Sequence, residues 1–347
     1  QGCFSPHDPD DAVASELRAL GFMGKITLVR GRMTDIDRAA KAVIISDEIA
    51  VEYDVLIIAS GVQDATSRRI PSLKGMHTNQ LAARGIHSLG SVTSDNDALE
   101  WVQGTNAKTE EGGQPTMREN VVVYGSGVDG WAAVGGLLQH GIAPEKITWL
   151  VDSDSPGELG YEAIDEVAMK TLTFMPELSL VERVQVTGVD IDDVQGLVTG
   201  VTYLVPFVDL GEEDPGMEEE ELEKKRAARN KGLTIVKKGG REFEQRYIRC
   251  DALLMCTCKR CDVDTFAAVN DCGLIYDGGI VVDENFQTVD PAIYAAGATT
   301  RFSRIHHKAQ DHIRFNSREV GTFVGNRIIE RNFDVLLGST RSSQTDG

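Results

Sequence analysis

The stretch Asn120–Asp152 decides the fold of this chain, and it reads NVVVYGSGVDGWAAVGGLLQHGIAPEKITWLVD. Four apolar residues, Val121–Tyr124, predict a short buried strand that leads directly into a glycine-rich turn. The Ala/Val/Leu-rich segment that follows predicts a helix over about Val128–His140. A second strand is predicted over Ile147–Val151, and an acidic residue, Asp152, stands at its end. The order is therefore strand, glycine turn, helix, strand and carboxylate.

The turn has the spacing Gly-x-Gly-x-x-Gly, with its glycines at Gly125, Gly127 and Gly130. The first glycine permits a tight turn, the second lets the backbone approach a pyrophosphate, and the third lets the helix pack closely on the strand. The amide groups and dipole of the helix start favour a phosphate there. Asp152 follows at about the 20-residue distance expected of a carboxylate that binds a ribose 2′-hydroxyl, which favours NAD over NADP. These residues predict a Rossmann fold with an NAD-type site.

The totals limit the class of protein. A chain of 347 residues has room for about two domains. Its formal net charge of −19 argues against nucleic acid or an anionic membrane as direct partners. The charge suits a partner with a basic surface, or it simply keeps the protein soluble. There is no run of 18 apolar residues and no recognisable signal peptide, so a cytoplasmic protein is expected.

Five of the six cysteines lie between Cys250 and Cys272. The spacing Cys256-x-Cys258-x-x-Cys261 allows three interpretations: buried structural thiols, a zinc site, or a redox pair of Cys258 and Cys261. Only one C-x-x-C pair is present, whereas a structural zinc site usually needs two such pairs. The sequence therefore favours structural cysteines, which pack as small apolar side chains, and predicts no metal site.

Periodicity and turn signals predict further elements along the chain. The helices are expected at Asp10–Leu20, Asp95–Trp101 with Ser94 as its N-cap, Glu162–Phe174 and Lys308–Arg331; the strands are expected at Ile26–Val29, Val43–Ile45, Ala50–Val51, Val55–Ile58 and Tyr247–Cys256. In the last helix Val320, Val324 and Ile328 recur every four residues and should face a core.

A charged segment at residues 209–231 interrupts this pattern. Eight acidic residues between 212 and 223 are followed by the basic run Lys224–Arg226. Pairs four residues apart, such as Glu220 and Lys224, suit an exposed helix. Two interpretations remain: a solvated insertion, or a docking surface for another protein.

Three motifs in a fixed order resemble those of the pyridine nucleotide-disulfide oxidoreductases. YDVLIIASG at Tyr53–Gly61 resembles the segment that leaves the FAD domain, and YGSGVDG at Tyr124–Gly130 resembles the NAD fingerprint. Gly278–Asp283 with Thr288–Gly297 resembles the second FAD motif. The resemblance covers about residues 25–330.

This resemblance implies an α/β, FAD/NAD(P)-binding Rossmann-like two-domain fold in which an NAD-like domain is inserted in an FAD-like domain. The expected divisions are residues 1–90 for the first FAD-like part, 91–275 for the NAD-binding-like domain with its insertion, and 276–347 for the second FAD-like part and the C-terminal helix. It assigns Gly61 and Gly297 to an FAD-like site.

The chain departs from the family pattern at several chemically important positions. Residues 1–50 contain no Gly-x-Gly-x-x-Gly, so the first FAD fingerprint of the family either lies upstream of residue 1 or is missing, and no C-x-x-x-x-C redox motif is present. Ala298 follows Gly297, where family members place an aspartate that holds the ribityl chain of the flavin. In the NAD fingerprint, Asp129 occupies an apolar position and bulky Trp131 follows the last glycine. These departures predict a fold whose chemistry has been lost, and no catalytic residue is assigned.

Three histidines, His306, His307 and His312, lie near the start of the last predicted helix. They are interpreted either as exposed polar residues or, less simply, as a general acid near a flavin.

Other segments resemble a different kind of protein. Arg32–Lys41, Leu89–Ser94 and the mixed-charge insertion are similar to the C-terminal region of a cilia- and flagella-associated protein of the calmodulin- and spoke-associated complex. This resemblance implies location in the axoneme of a cilium or flagellum. It also implies other axonemal proteins as partners, namely subunits of the radial spoke and of that complex.

Three functions are compatible with the sequence. The first is a structural reductase-like module without catalysis, and the departures above favour it. The second is an NAD-dependent flavoprotein oxidoreductase, and the third is a module that binds NAD without turnover. The first interpretation expects no cofactor; NAD remains open because the fingerprint glycines are intact, and FAD is less favoured.

Overall fold

The structure is a computed structural model. It describes residues 25–29, 31–90, 92–105, 117–152, 167, 170, 175–206, 234–305, 312 and 315–342. These residues form two compact units. The inserted unit contains Asp64–Lys259, and the flanking unit contains the described residues before and after that range.

The helices and strands are numbered in chain order. The strands are β1 (Met33–Asp37), β2 (Ala42–Ile45), β3 (Ile49–Glu52), β4 (Leu56–Ile58), β5 (Gln63–Asp64), β6 (Ile86–Ser88), β7 (Val121–Gly125), β8 (Ile147–Asp152), β9 (Ser179–Ile191), β10 (Val198–Pro206), β11 (Thr234–Lys238), β12 (Arg241–Arg249), β13 (Ala252–Cys256), β14 (Lys259–Arg260), β15 (Ile280–Val282), β16 (Ile293–Ala295) and β17 (Thr300–Phe302). The α-helices are α1 (Thr78–Ala82), α2 (Val92–Gln103), α3 (Gly127–Gln139), α4 (Val263–Asp271) and α5 (Ser317–Ser342).

An eight-stranded sheet is the centre of the inserted unit, in the order β11-β12-β10-β9-β8-β7-β13-β6. The run β9-β8-β7-β13-β6 is parallel. The remaining strands, β10, β12 and β11, continue the sheet in antiparallel pairing. The predicted unit of strand, glycine turn, helix and strand is present as β7, α3 and β8 at the middle of the parallel run.

Both faces of β7 are buried, which explains its continuous apolar sequence. Val121 and Val123 pack in one core cluster with Leu137 of α3. Val122 and Tyr124 point to the opposite face and belong to a second cluster. Alternation with polar residues is absent because neither face of this strand meets water.

The flanking unit has smaller sheets around its own core. Strands β1, β2 and β3 form an antiparallel sheet, and β4 pairs in parallel with β16. Helix α5 packs on this core through Val324, with Val320 and Ile328 beside it. The predicted apolar face of the last helix is therefore confirmed.

The units differ from the domain divisions predicted after residues 90 and 275, for two physical reasons. Strand β6 lies before residue 90, but it pairs with β13 and so belongs to the sheet of the inserted unit. Helix α4 lies before residue 275, but Ala268 and Val269 pack with Ile36 of β1 in the flanking unit. Long-range pairing, which the chain order does not reveal, moves both boundaries towards the N-terminus.

The first predicted strand, Ile26–Val29, is not a strand, and β1 takes the polar segment after it. The register of β1 against β2 shifts between Met33 and Asp35, which marks a bulge. A bulge breaks the two-residue alternation, so Met33 and Ile36, three residues apart, both pack on the same core. A search for strict alternation misses such a strand.

The single strand predicted over Tyr247–Cys256 is two strands, β12 and β13. Between them Asp251 accepts hydrogen bonds from the backbone amide (3.1 Å) and the side-chain amide (2.7 Å) of Asn120. There the chain leaves β10, the partner of β12, and joins β7. Apolar residues continue from β12 into β13, so the sequence pattern does not reveal the boundary between the two strands.

Helix α2 begins at Val92, so Ser94 lies inside it and is not its N-cap. Helix α5 begins at Ser317, after the predicted start, because the Asn316 side chain accepts hydrogen bonds from the amides of Arg318 (3.0 Å) and Glu319 (3.3 Å) and caps it. The predicted helix Asp10–Leu20 and the charged insertion lie outside the described residues. The predicted helix Glu162–Phe174 is described only at residues 167 and 170.

Candidate functional site

Each glycine of the NAD-like turn is favoured by the local geometry, two by packing and one by its backbone conformation. A side chain at Gly125 would overlap the sulfur of Cys256 on β13. Gly127 adopts a positive φ of 60° at the start of α3. A Cβ at Gly130 would lie 2.9 Å from the ring of Trp149 on β8. The predicted packing role of Gly130 fits this geometry. Gly125, predicted to permit the tight turn, contacts Cys256 of the neighbouring strand. The predicted approach of a pyrophosphate to Gly127 stays a prediction.

Asp152, the predicted ribose-binding acid, is only 2% exposed. Its carboxylate lies 3.6 Å from the guanidinium of Arg69. The pKa of the Tyr124 hydroxyl is raised, first by burial and second by the negative charge of Asp152. An acid that binds ribose must present an oxygen to the ligand. Here the carboxylate is enclosed by the protein's own side chains.

Two further acids and one lysine meet at the start of α3. Asp129, in the first turn of the helix, lies 3.3 Å from the ammonium of Lys259. The Asp95 carboxylate accepts a hydrogen bond from the backbone amide of Gly90 at 2.9 Å. Burial raises the pKa of Asp95 to about 6; nearby Lys259 opposes this increase and Asp129 adds to it. The cluster therefore places negative charge beside the position that a pyrophosphate would take.

A buried carboxylate that the sequence analysis missed lies at the start of the inserted unit. Asp64 accepts hydrogen bonds from the amides of Thr66 (3.2 Å) and Cys258 (3.3 Å). The Thr66 hydroxyl also donates to Asp64 and lies 2.9 Å from the hydroxyl of Thr257. Burial raises the pKa of Asp64 to about 6. The Asp-x-Thr spacing is a turn signal that could have revealed it, and its contacts join two chain segments.

Gly61 and Gly297, the residues of the FAD-like site, follow the parallel strands β4 and β16. Both have positive φ, 70° and 85° respectively, and both face open space. The Thr300 hydroxyl donates to the Gly297 carbonyl at 2.8 Å and lies 2.8 Å from Nδ1 of His312. The structure thus brings the two predicted glycines to the same edge of one strand pair.

His312 is buried, so its interpretation as an exposed polar residue is wrong. Its ring lies 4.3 Å from the ring of Phe302 and stacks on Phe315 at 4.6 Å. Hydrophobic contact with these rings buries the imidazole. His306 and His307 lie outside the described residues.

A cavity of about 300 Å³ opens beside Gly297 in the flanking unit. Its lining includes Ile57, Ala59, Phe286 and Val324. This volume is at the lower end of the roughly 300–1,000 Å³ typical of drug-sized ligands, and FAD is larger than such ligands. None of the residues that line it is acidic, and Ala298 offers no side-chain acceptor, so these residues do not fit a flavin dinucleotide.

The cysteines that the structure describes are unbridged thiols. Burial raises the pKa of Cys250 to about 12 and that of Cys261 to about 11. Thiols with such values are poor nucleophiles at neutral pH, which does not favour a redox pair at Cys258 and Cys261. Within the described ranges, no group of three or more His, Cys, Asp or Glu side chains is arranged to hold a metal ion.

Known proteins resemble this chain in part of its sequence and in its fold. Residues 219–312 match the family model of the pyridine nucleotide-disulphide oxidoreductases. A covalent putidaredoxin reductase–putidaredoxin complex matches over 92% of this chain and 61% of that chain, with 18% identity and a TM-score of 0.57. The chain has the fold of the pyridine nucleotide-disulphide oxidoreductases. The predicted FAD/NAD(P)-binding α/β fold is therefore confirmed.

Two other solved structures agree. An FAD-dependent pyridine nucleotide-disulphide oxidoreductase from Desulfovibrio vulgaris is 20% identical, with a TM-score of 0.55 over 88% of this chain and 62% of that one. An NAD-dependent persulfide reductase from A. fulgidus is 18% identical, with a TM-score of 0.55 over 87% of this chain and 44% of that one. The chain thus spans less than two thirds of the length of these three structures. None of the helices in the described parts of the chain is long and apolar enough to span a bilayer.

Proposed function

We propose that this chain is a structural, reductase-like module that keeps the oxidoreductase fold without its hydride-transfer chemistry. The burial of Asp152 against Arg69 carries this proposal, because the acid that would select NAD is part of the protein's interior. Ala298 beside Gly297 supports it in the flanking unit, where the family's carboxylate acceptor is replaced by a methyl group. A fold does not imply a retained function, so the site must decide.

We further propose that the module belongs to the axoneme of cilia or flagella. The similarity of Arg32–Lys41 and Leu89–Ser94 to a cilia- and flagella-associated protein supports this location. Its partners would be subunits of the radial spoke and of the calmodulin- and spoke-associated complex. The net charge of −19 suits partners with basic surfaces.

The absence of hydride-transfer chemistry is tested on the purified protein. We expect no flavin absorption bands, no reduction of added FAD by NADH, and no saturable heat signal when NAD⁺ or NADH is titrated by calorimetry. Asp152→Asn should leave these results unchanged and lower only the stability. A yellow protein that NADH bleaches would refute the proposal.

The location is tested separately by expressing the fluorescently tagged chain in ciliated cells. We expect the tag to follow the axoneme and to remain there after detergent removes the ciliary membrane. Recovery of radial-spoke subunits with the tagged chain would support the proposed partners. A diffuse cytosolic signal that detergent releases would contradict the axonemal assignment.

A further inference from the structure

The crevice that would hold a dinucleotide can be located from the sheet order. Strand β7 leads through α3 to β8 on one side, and β13 with β6 lies on its other side. Ligands of open parallel sheets bind outside the carboxyl ends of the strands where the order reverses in this way. Here that place lies between the start of α3 and the segment that follows β13.

An ion pair of the protein itself joins the two sides of this crevice. Asp129 comes from the first turn of α3, and Lys259 comes from the segment after β13; their charged atoms are 3.3 Å apart. The Lys259 side chain is 20% exposed, and a Cβ added at Gly90 would lie 3.0 Å from its ammonium. The lysine is therefore packed into the crevice over the Gly90 turn.

The carboxylate of Asp129 satisfies the same physical conditions as a bound phosphate. A helix start favours negative charge because its amides and dipole point outwards there. Asp129 supplies that charge, and Lys259 is its counter-ion. Asp95, whose carboxylate binds the Gly90 amide, adds a second acidic group on the same side. A pyrophosphate entering this place would meet two acids and a lysine that is already paired.

We propose that the Asp129–Lys259 ion pair closes the Rossmann crevice to nucleotides, and that removal of the Asp129 carboxylate opens it to an ADP-containing ligand. Lys259 would then donate to the pyrophosphate. This inference rests on the proposed absence of nucleotide chemistry and gives that absence a specific residue as its cause. It assigns Asp129 a role as a specificity determinant, where the fingerprint pattern alone assigns none.

The expected gain in affinity follows from electrostatics. At a partly exposed site, two unit charges a few ångströms apart change a binding constant by about tenfold or more. Because Asp129 is 44% exposed, we expect a change in the binding constant of about tenfold, the lower end of this range. Because the interaction is electrostatic, the gained affinity should fall as salt concentration rises.

The test measures ADP-ribose and NADH binding by calorimetry for four proteins. They are the native chain, Asp129→Ala, the control Glu145→Ala, and the double variant Asp129→Ala/Lys259→Met. Glu145 is exposed and lies just before β8, at the opposite end of the parallel strands. We expect about tenfold tighter binding for Asp129→Ala, native behaviour for Glu145→Ala, and loss of the gain in the double variant.

Circular dichroism establishes whether each variant is folded. Asp129→Asn, which keeps the side-chain shape, is measured as a second variant and replaces Asp129→Ala if that variant does not fold. If both folded variants bind ADP-ribose no better than the native chain, the inference is wrong, and the proposed function is unaffected. If Asp129→Ala gains affinity and the double variant keeps it, Lys259 has no part in binding and this half of the inference is wrong. If the native chain itself binds NADH tightly, both the inference and its premise are refuted.

Discussion

Replacement of Gly130 by alanine tests the packing of α3 on the sheet. Alanine normally stabilises a helix interior by about 1 kcal/mol relative to glycine. At Gly130, however, the new methyl carbon would lie 2.9 Å from the Trp149 ring and 3.2 Å from the carbonyl carbon of Gly125. Trp149 is almost fully buried, and its indole N–H donates to the Gly125 carbonyl at 2.9 Å. The ring cannot move without losing this bond.

The cost of overpacking and the gain in helix propensity together decide whether Gly130→Ala stabilises or destabilises the protein. Overpacking a dense core costs about 1–3 kcal/mol, and a buried donor left without its acceptor costs about 1–3 kcal/mol. Subtracting the helix gain of about 1 kcal/mol leaves a net destabilisation of about 3 kcal/mol for Gly130→Ala. Gly135, in the same helix, has no atom within 4 Å of an added Cβ. Gly135→Ala should therefore stabilise the protein by about 1 kcal/mol.

Urea unfolding followed by tryptophan fluorescence measures both changes. All three tryptophans, Trp101, Trp131 and Trp149, lie in the inserted unit, so the signal reports the unit that contains α3. In a Trp149→Leu background the cost of Gly130→Ala should fall by at least about 1 kcal/mol, since contacting residues couple. Equal free energies of unfolding for Gly130→Ala and Gly135→Ala would refute the reasoning.

Three further predictions concern buried ionisable groups. Burial raises the pKa of Asp64 to about 6. The protonated Asp64 carboxyl therefore adds to the free energy of unfolding below about pH 4, and this contribution is lost as pH rises through 6. Asp64→Asn should flatten this decline in unfolding free energy, and an unchanged pH profile would contradict it. Iodoacetamide at pH 8 should leave Cys250 and Cys261 unmodified until urea is added, because burial raises the pKa of both thiols. Peptide mass spectrometry measures the modification. Rapid alkylation of these cysteines in the folded chain would argue against their raised pKa values. Arg69→Met should destabilise the inserted unit by about 1–3 kcal/mol, because the buried Asp152 carboxylate loses a charged partner. Arg69→Lys should recover part of this loss in the same urea assay. An unchanged free energy of unfolding for Arg69→Met would show that the ion pair does not stabilise the unit.

The proposed loss of chemistry rests on different observations in the two units. In the inserted unit, Gly125 and Gly130 make close packing contacts, and the acids Asp129 and Asp152 lie beside Lys259 and Arg69. In the flanking unit, Gly61 and Gly297 follow the strand pair β4 and β16, and Ala298 has no side-chain acceptor. Packing residues affect stability directly, so a fold can persist where a function does not.

The sequence by itself determined the centre of the inserted unit. The run Val121–Tyr124, the turn at Gly125–Gly130 and the helix that follows are local features, since each depends on periodicity and backbone freedom within a few residues. The inward face of α5 was predictable for the same reason. The strands and the helix of this centre are found within one or two residues of their predicted bounds. Helix α5 differs at both ends: it begins at Ser317, where Asn316 caps it, and ends at Ser342, beyond the predicted Arg331.

Only the tertiary structure decided what the candidate site residues do. Asp152 is a ligand acid in the sequence pattern, but in the structure it is buried, and Arg69, from a distant segment, lies 3.6 Å from it. Asp129 meets Lys259 because β7 and β13 are neighbours in the sheet. Such contacts depend on strand order and register, which pair residues far apart in the chain. A sequence motif specifies the positions of these acids along the chain, whereas their charge partners and exposure arise only when the sheet forms.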